Sequence, residues 1–92
     1  MTKPLFDLGQ IVATPGALDA MAKTGDDPAV FLGRHVTGDW GDLDAADKAE
    51  NDYSLPRHLR LFSAYKLSDG LKVWVITEAD RSATTLLLPE EY

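Results

Sequence analysis

The chain has 92 residues, no cysteine, and 15 acidic against 9 basic side chains, for a formal net charge of -6. That length supports one domain with a core of modest size, and the missing thiols exclude disulfide staples and zinc–thiolate sites. The acidic excess argues against direct nucleic-acid binding as the main activity, because such binding needs many lysines and arginines on phosphates.

The apolar share is 45%, enough to offset chain entropy, so an ordered domain over residues 1–92 is expected. The opening Met1-Thr2-Lys3-Pro4, with Asp7 directly after Leu5-Phe6, is not a signal-peptide pattern. No apolar run approaches the roughly 20 residues of a membrane span. A cytoplasmic protein without membrane attachment is the expectation.

In chain order, "QIVA" at 10–13 is a short apolar run that reads as an edge strand or an extended lead-in. Thr14 then suits a helix N-cap and Pro15 the first helical position, with Ala17, Leu18, Met21 and Ala22 as one stripe and Gly25 as the stop, which predicts a helix over 15–23. The pattern repeats with Asp27 as cap, Pro28 as opener, and Phe31, Leu32, His35 and Val36 on one face, predicting a second helix over 28–36. Asp44 caps a third, whose thin apolar face (Ala45, Ala46, Ala49, Tyr53) places it on the surface. Pro56 closes the helical part.

The remainder alternates. In 59–67, Leu59, Leu61 and Tyr65 fall on one side and Arg60, Phe62 and Ala64 on the other. Asp69-Gly70 signals a hairpin. In 71–78, Leu71, Val73 and Val75 oppose Trp74 and Ile76, so this strand is apolar on both faces and reads as central. "TTLLLP" is a last strand ended by Pro89. The predicted class is α+β: three short N-terminal helices packed on a C-terminal three-stranded antiparallel meander, with 10–13 as an optional edge strand.

The phrases "IVATPGAL", "RHVTGDWGDLD", "LFSAY" and "VWVITEADRSATTLLLPEEY" together resemble a family of small bacterial proteins carried on plasmids, phages and genomic islands. The resemblance spans nearly the whole chain. It implies a mobile-element setting and brings no mechanism.

Two motifs hold the candidate site residues. In "HVTGDWGDLD", His35, Asp39 and Asp42 could work as an acid–base pair or a divalent-metal cluster, with Trp40 and Asp42 as ligand contacts. The structural alternative makes His35 a hydrogen-bonded core residue, Asp39 and Asp42 turn and cap residues, and Trp40 the lid of the turn. In "EADRS", Asp80 and Arg81 could hold a carboxylate or phosphate ligand through the guanidinium fork; the alternative is a loop ion pair. Ser63, Thr84 and Thr85 could serve as nucleophiles with His35 or His58, although their spacing supports no triad.

Asp39, Asp42, Asp44, Asp47, Glu50 and Asp52 form an acidic stretch, which reads as a solvated helix face or as a decoy for DNA phosphates in an anti-defence protein. A carboxylate after Tyr92 could dock on Arg57 or Arg60. No metal site or cofactor is expected. The preferred reading is a non-enzymatic module whose partner is a protein, including a copy of itself. A small enzyme or ligand-binding domain built on His35, Asp39, Trp40, Asp80 and Arg81 is the alternative.

Overall fold

Three side chains start the helices. Thr14, in extended backbone, accepts the Ala17 N–H ahead of α1 (Pro15–Thr24); Asp27 accepts the Ala29 N–H ahead of α2 (Pro28–Val36); Asp44 accepts the Asp47 N–H ahead of α3 (Ala45–Ser54). In the first two, proline takes a position whose N–H would have no partner anyway. Gly25, at φ 75°, ends α1 in the left-handed conformation that glycine adopts freely. These features come from a computed structural model, which describes residues 3–92.

The strands β1 (Gln10–Ala13), β2 (Leu61–Lys66), β3 (Lys72–Thr77) and β4 (Ala83–Leu87) form one sheet in the order β1-β4-β3-β2. The α+β class holds, but the sheet is four-stranded and mixed rather than a three-stranded antiparallel meander. β2–β3 and β3–β4 pair antiparallel, whereas β1 pairs parallel with β4, Gln10 opposite Ala83 and Ala13 opposite Leu86. The first element of the sheet therefore precedes the helices. The three helices, followed by β2 and β3, make up the long connection that the parallel pair β1–β4 requires. A short 3-10 turn, Pro89–Glu91, follows β4, and Glu91 accepts hydrogen bonds from the Leu88 N–H (2.9 Å) and the Thr14 hydroxyl (2.6 Å).

Alternation along the strands sorts the sheet into two faces. Leu61, Ser63, Tyr65, Val73, Val75, Thr77, Thr84 and Leu86 face the helices and are all buried. Ala17, Ala20 and Met21 of α1 and Phe31 of α2 pack on them. Leu18, expected on the buried stripe of α1, is 52% exposed. The contact stripe runs through positions 17, 20 and 21, and Leu18 lies off its edge. β2 begins at Leu61, not at Leu59, because the chain after α3 makes a further turn and the Leu59 N–H returns to the Ser54 carbonyl (3.1 Å).

The outer edge of β2 is sealed. The Ala64 N–H donates to the Trp40 carbonyl (3.2 Å), and the Ala64 carbonyl accepts from the Asp42 N–H (2.7 Å), so the turn around Gly41 runs beside β2 like a fragment of strand. Gly41 is needed there: its φ is 75°, and a Cβ would collide with the Ala64 carbonyl and the Tyr65 ring. One step along, the Asn51 side chain imitates a backbone partner, donating to the Phe62 carbonyl (2.5 Å) and accepting from the Phe62 N–H (3.1 Å). An unpaired edge invites pairing with another chain, and α3 brings this one amide to prevent it. Among the described residues no helix is long and apolar enough to cross a membrane.

Asn51→Ala strips Phe62 of both partners. We expect a loss of about 1–3 kcal/mol in urea unfolding, together with concentration-dependent aggregation on heating, absent from the parent, as the β2 edge opens. An unchanged midpoint would refute the edge-sealing role.

Candidate functional site

His35 is held at the centre of the molecule. α2 carries it over the sheet, where its ring is fully buried and meets Ser63 on β2 and Thr77 on β3. The proton positions follow from the far end of the network. Thr84 donates its one hydroxyl proton to the Leu8 carbonyl (2.7 Å), so it accepts from Thr77 (2.7 Å). Thr77, having donated, accepts from His35 Nε2–H (2.9 Å), which leaves Nδ1 to accept from the Ser63 hydroxyl (2.5 Å). The ring is neutral, with its proton on Nε2. Burial, reinforced by the Arg81 charge, pulls its pKa from 6.5 down to about 4.

A serine donating to a histidine that is oriented by a third group resembles an activated nucleophile. Here the geometry serves the core instead. Ser63, His35, Thr77 and Thr84 are all fully buried, and every buried polar side-chain atom among the described residues has a partner. Phe6 and Trp40 close over the imidazole, their ring centroids 5.2 and 5.6 Å from it. Thr85 points to the other face of the sheet, in register with Ile76, and His58 sits beyond the end of α3.

The other candidates are dispersed. The Asp39 carboxylate is gripped by Arg34 (2.7 and 3.3 Å) and accepts the Gly41 N–H, which together hold it below the ordinary carboxylate range. Its backbone carbonyl accepts the buried Tyr65 hydroxyl (2.6 Å). Trp40 packs flat against Phe6 at 6.3 Å and donates Nε1–H to Asp52 (3.2 Å). Asp42 contributes through its backbone N–H; its carboxylate is exposed. Asp80 accepts the Ser82 N–H (3.0 Å) in a loop turn and does not pair with Arg81. In the acidic stretch, Asp39, Asp44 and Asp52 thus have structural partners. Among the described residues no three histidine, aspartate or glutamate side chains gather to hold a metal.

The two motifs do approach each other, but through an intermediary. Phe6 lies between them, stacked on Trp40 on one side, with the Arg81 guanidinium 5.6 Å from its ring on the other. Arg81 forms part of an open cleft of about 360 Å³ lined by Pro4, Leu5, Phe6, Asp7, Leu55, His58 and Arg81. Among the described residues, Arg81 and His58 are the two non-glycine residues with positive φ, 61° and 53°. His58 ends the turn that caps α3, and Arg81 closes the loop between β3 and β4, where its N–H returns to the Glu78 carbonyl (2.9 Å). Both positions favour glycine, and a larger residue costs about 1–2 kcal/mol there.

The second open feature is the sheet face away from the helices. Phe62, Ala64, Trp74, Ile76, Thr85 and Leu87 lie on it; Phe62, Trp74 and Thr85 are half-buried, Ala64, Ile76 and Leu87 are buried, and the 3-10 turn Pro89–Glu91 reaches β3. Tyr92 leans on Trp74 (5.7 Å) and receives a hydrogen bond from Arg60 (3.3 Å), leaving a groove of about 290 Å³. Alternation in 71–78 hinted at this face. The sequence singled out Arg81 as a possible carboxylate or phosphate ligand but not the cleft around it, because residues 4–7, 55, 58 and 81 come together only through the fold.

The unfolded chain takes up the His35 proton near pH 6.5 and the folded chain only near 4. Stability is therefore intact above 6.5 and drains as pH falls toward 4, by about 3 kcal/mol in total. Wild type should lose that much more than His35→Gln in unfolding experiments across this window; parallel slopes would contradict a buried neutral ring. His58→Gly should raise stability by about 0.5–1 kcal/mol, the left-handed strain less the entropic cost of glycine. A drop in its melting temperature would assign the imidazole a structural role.

Compared with known protein families, curated proteins and solved structures, the chain matches none.

Proposed function

We propose that the protein is a non-enzymatic interaction module of a mobile genetic element and that the half-covered outer face of its sheet receives a second copy of the same chain. The outer face carries this reading. An apolar face of a sheet needs a cover; α1 and α2 fill the inner side, while on the outer side Phe62 and Trp74, edge to face at 5.0 Å, stay half-buried beside the buried Ile76 and Leu87. The family resemblance of the sequence supports the mobile-element setting.

The charges at the ends of this face favour a copy over an unrelated partner. Lys66 and Lys72 sit directly opposite each other across β2–β3, and neither has a carboxylate within ion-pair distance among the described residues. Like charges in that position oppose pairing. At the other end of β3 the face carries Glu78, bound to Arg60 (3.1 Å). A two-fold axis lying in the interface and perpendicular to the strands sets the lysine end of one copy over the glutamate end of the other. The contact is then isologous, as in most homodimers.

The test is sedimentation equilibrium over a range of concentrations. The wild type should be dimeric and Thr85→Glu, which places a charge in the middle of the face, monomeric with an unchanged circular-dichroism spectrum. Lys72→Glu should weaken the dimer about tenfold, the effect of roughly 1.4 kcal/mol, and Lys72→Glu with Glu78→Lys should restore it. A wild-type monomer at all concentrations removes the proposal.

A further inference from the structure

The cleft beside Phe6 calls for a separate explanation. Arg81 is anchored there by one side of its guanidinium: Nη1 donates to the carbonyls of Leu59 (2.7 Å), Glu78 (3.1 Å) and Ala79 (3.2 Å), with a long contact from Nη2 to Leu55 (3.5 Å). Its Nε–H has no protein partner among the described residues, and no buried polar atom there lacks one, so this donor is open to solvent. Nε–H and the adjacent Nη2–H form the side-on edge that matches a carboxylate with two parallel hydrogen bonds. No carboxylate of the described residues lies within ion-pair distance of Arg81. In a chain with six more acidic than basic residues, a fixed arginine is left uncompensated.

The backbone adds an independent observation. At two turns where glycine would fit without strain, the chain carries His58 and Arg81, and both side chains line this one cleft. Strained residues held at a shared cavity are a mark of functional sites. The remaining walls are apolar (Pro4, Leu5, Phe6, Leu55), apart from Asp7. That carboxylate and the net negative charge disfavour a multiply charged anion such as phosphate.

We propose that the cleft binds a small organic monocarboxylate, its acid group on the side-on edge of Arg81 beside His58, its apolar body against Leu5, Phe6 and Leu55. This site is on a different surface from the sheet face and does not depend on self-association.

The test is titration of the full chain with phenylacetate, followed by amide chemical shifts, with inorganic phosphate as the second arm. Saturable shifts confined to residues 4–8, 55–59 and 79–82 are expected. Arg81→Gln should weaken binding about tenfold or more, as loss of a charge-assisted pair does. Because Arg81 also holds the loop, His58→Gly provides the second variant: it keeps the fold and should weaken binding several-fold. The proposal is overturned if phenylacetate shifts nothing in the cleft, if phosphate binds there at least as tightly, or if a folded His58→Gly binds with unchanged affinity.

Discussion

A neutral imidazole ties this molecule together. His35 hangs from α2 and accepts from Ser63 on β2 while donating to Thr77 on β3; the chain of hydroxyls continues through Thr84 on β4 to the carbonyl of Leu8 in the segment ahead of β1. One ring thereby registers a helix against three strands and the leading segment. Each hydroxyl has a single proton to give, so the whole network has one consistent polarity. Buried polar groups are costly unless all are satisfied, and a satisfied set specifies one arrangement of the elements around it. Sliding α2 by a turn, or β2 by a residue, would orphan several donors at once.

Around that centre the sheet treats its boundaries unequally. The β2 edge is closed by the Gly41 turn and the Asn51 amide, and the helix-side face is filled by α1 and α2. The opposite face is left with aromatic side chains and paired lysines, and the β1 edge keeps Ile11 and Val12 at 46% and 41% exposure. A fold that invests a dedicated side chain in sealing one edge has the means to seal others. The asymmetry separates the surfaces closed within the fold from those left partly exposed.

Much of the secondary structure was legible because its signals are local. Thr14-Pro15, Asp27-Pro28 and Asp44 mark helix starts by the chemistry of the first turn, and Asp69-Gly70 marks the hairpin. The period-two alternation of 71–78 gave β3 its central place and both of its faces. The parallel pairing of β1 was not legible, since four apolar residues at 10–13 carry no information about which strand they join. The candidate site shows the same divide. Asp39 and Trp40 lie where the turn-and-packing alternative set them and His35 where the core alternative did, whereas the loop ion pair of Asp80 with Arg81 does not form. The bonds of His35 to Ser63 and Thr77 span 28 and 42 positions, and the network's last link, Thr84 to Leu8, spans 76, separations that no local pattern records. Leu55, His58 and Arg81 gave no joint signal, because their proximity arises from the end of α3 meeting the β3–β4 loop.

The pairing of β1 with β4 also bears on synthesis. On the ribosome, the nascent chain acquires its helix caps and the β2–β3 hairpin early, since both are built from neighbouring residues. The strand at 10–13 must wait for residues 83–87 to emerge, and Leu8 for Thr84. Contacts of such long range close late because the entropy of the intervening loop is spent first. Until then β4 is missing from beside β3, and the central strand of the finished sheet is a temporary edge. The arrival of residues 83–87 thus decides when the young protein ceases to expose a sticky strand to its neighbours.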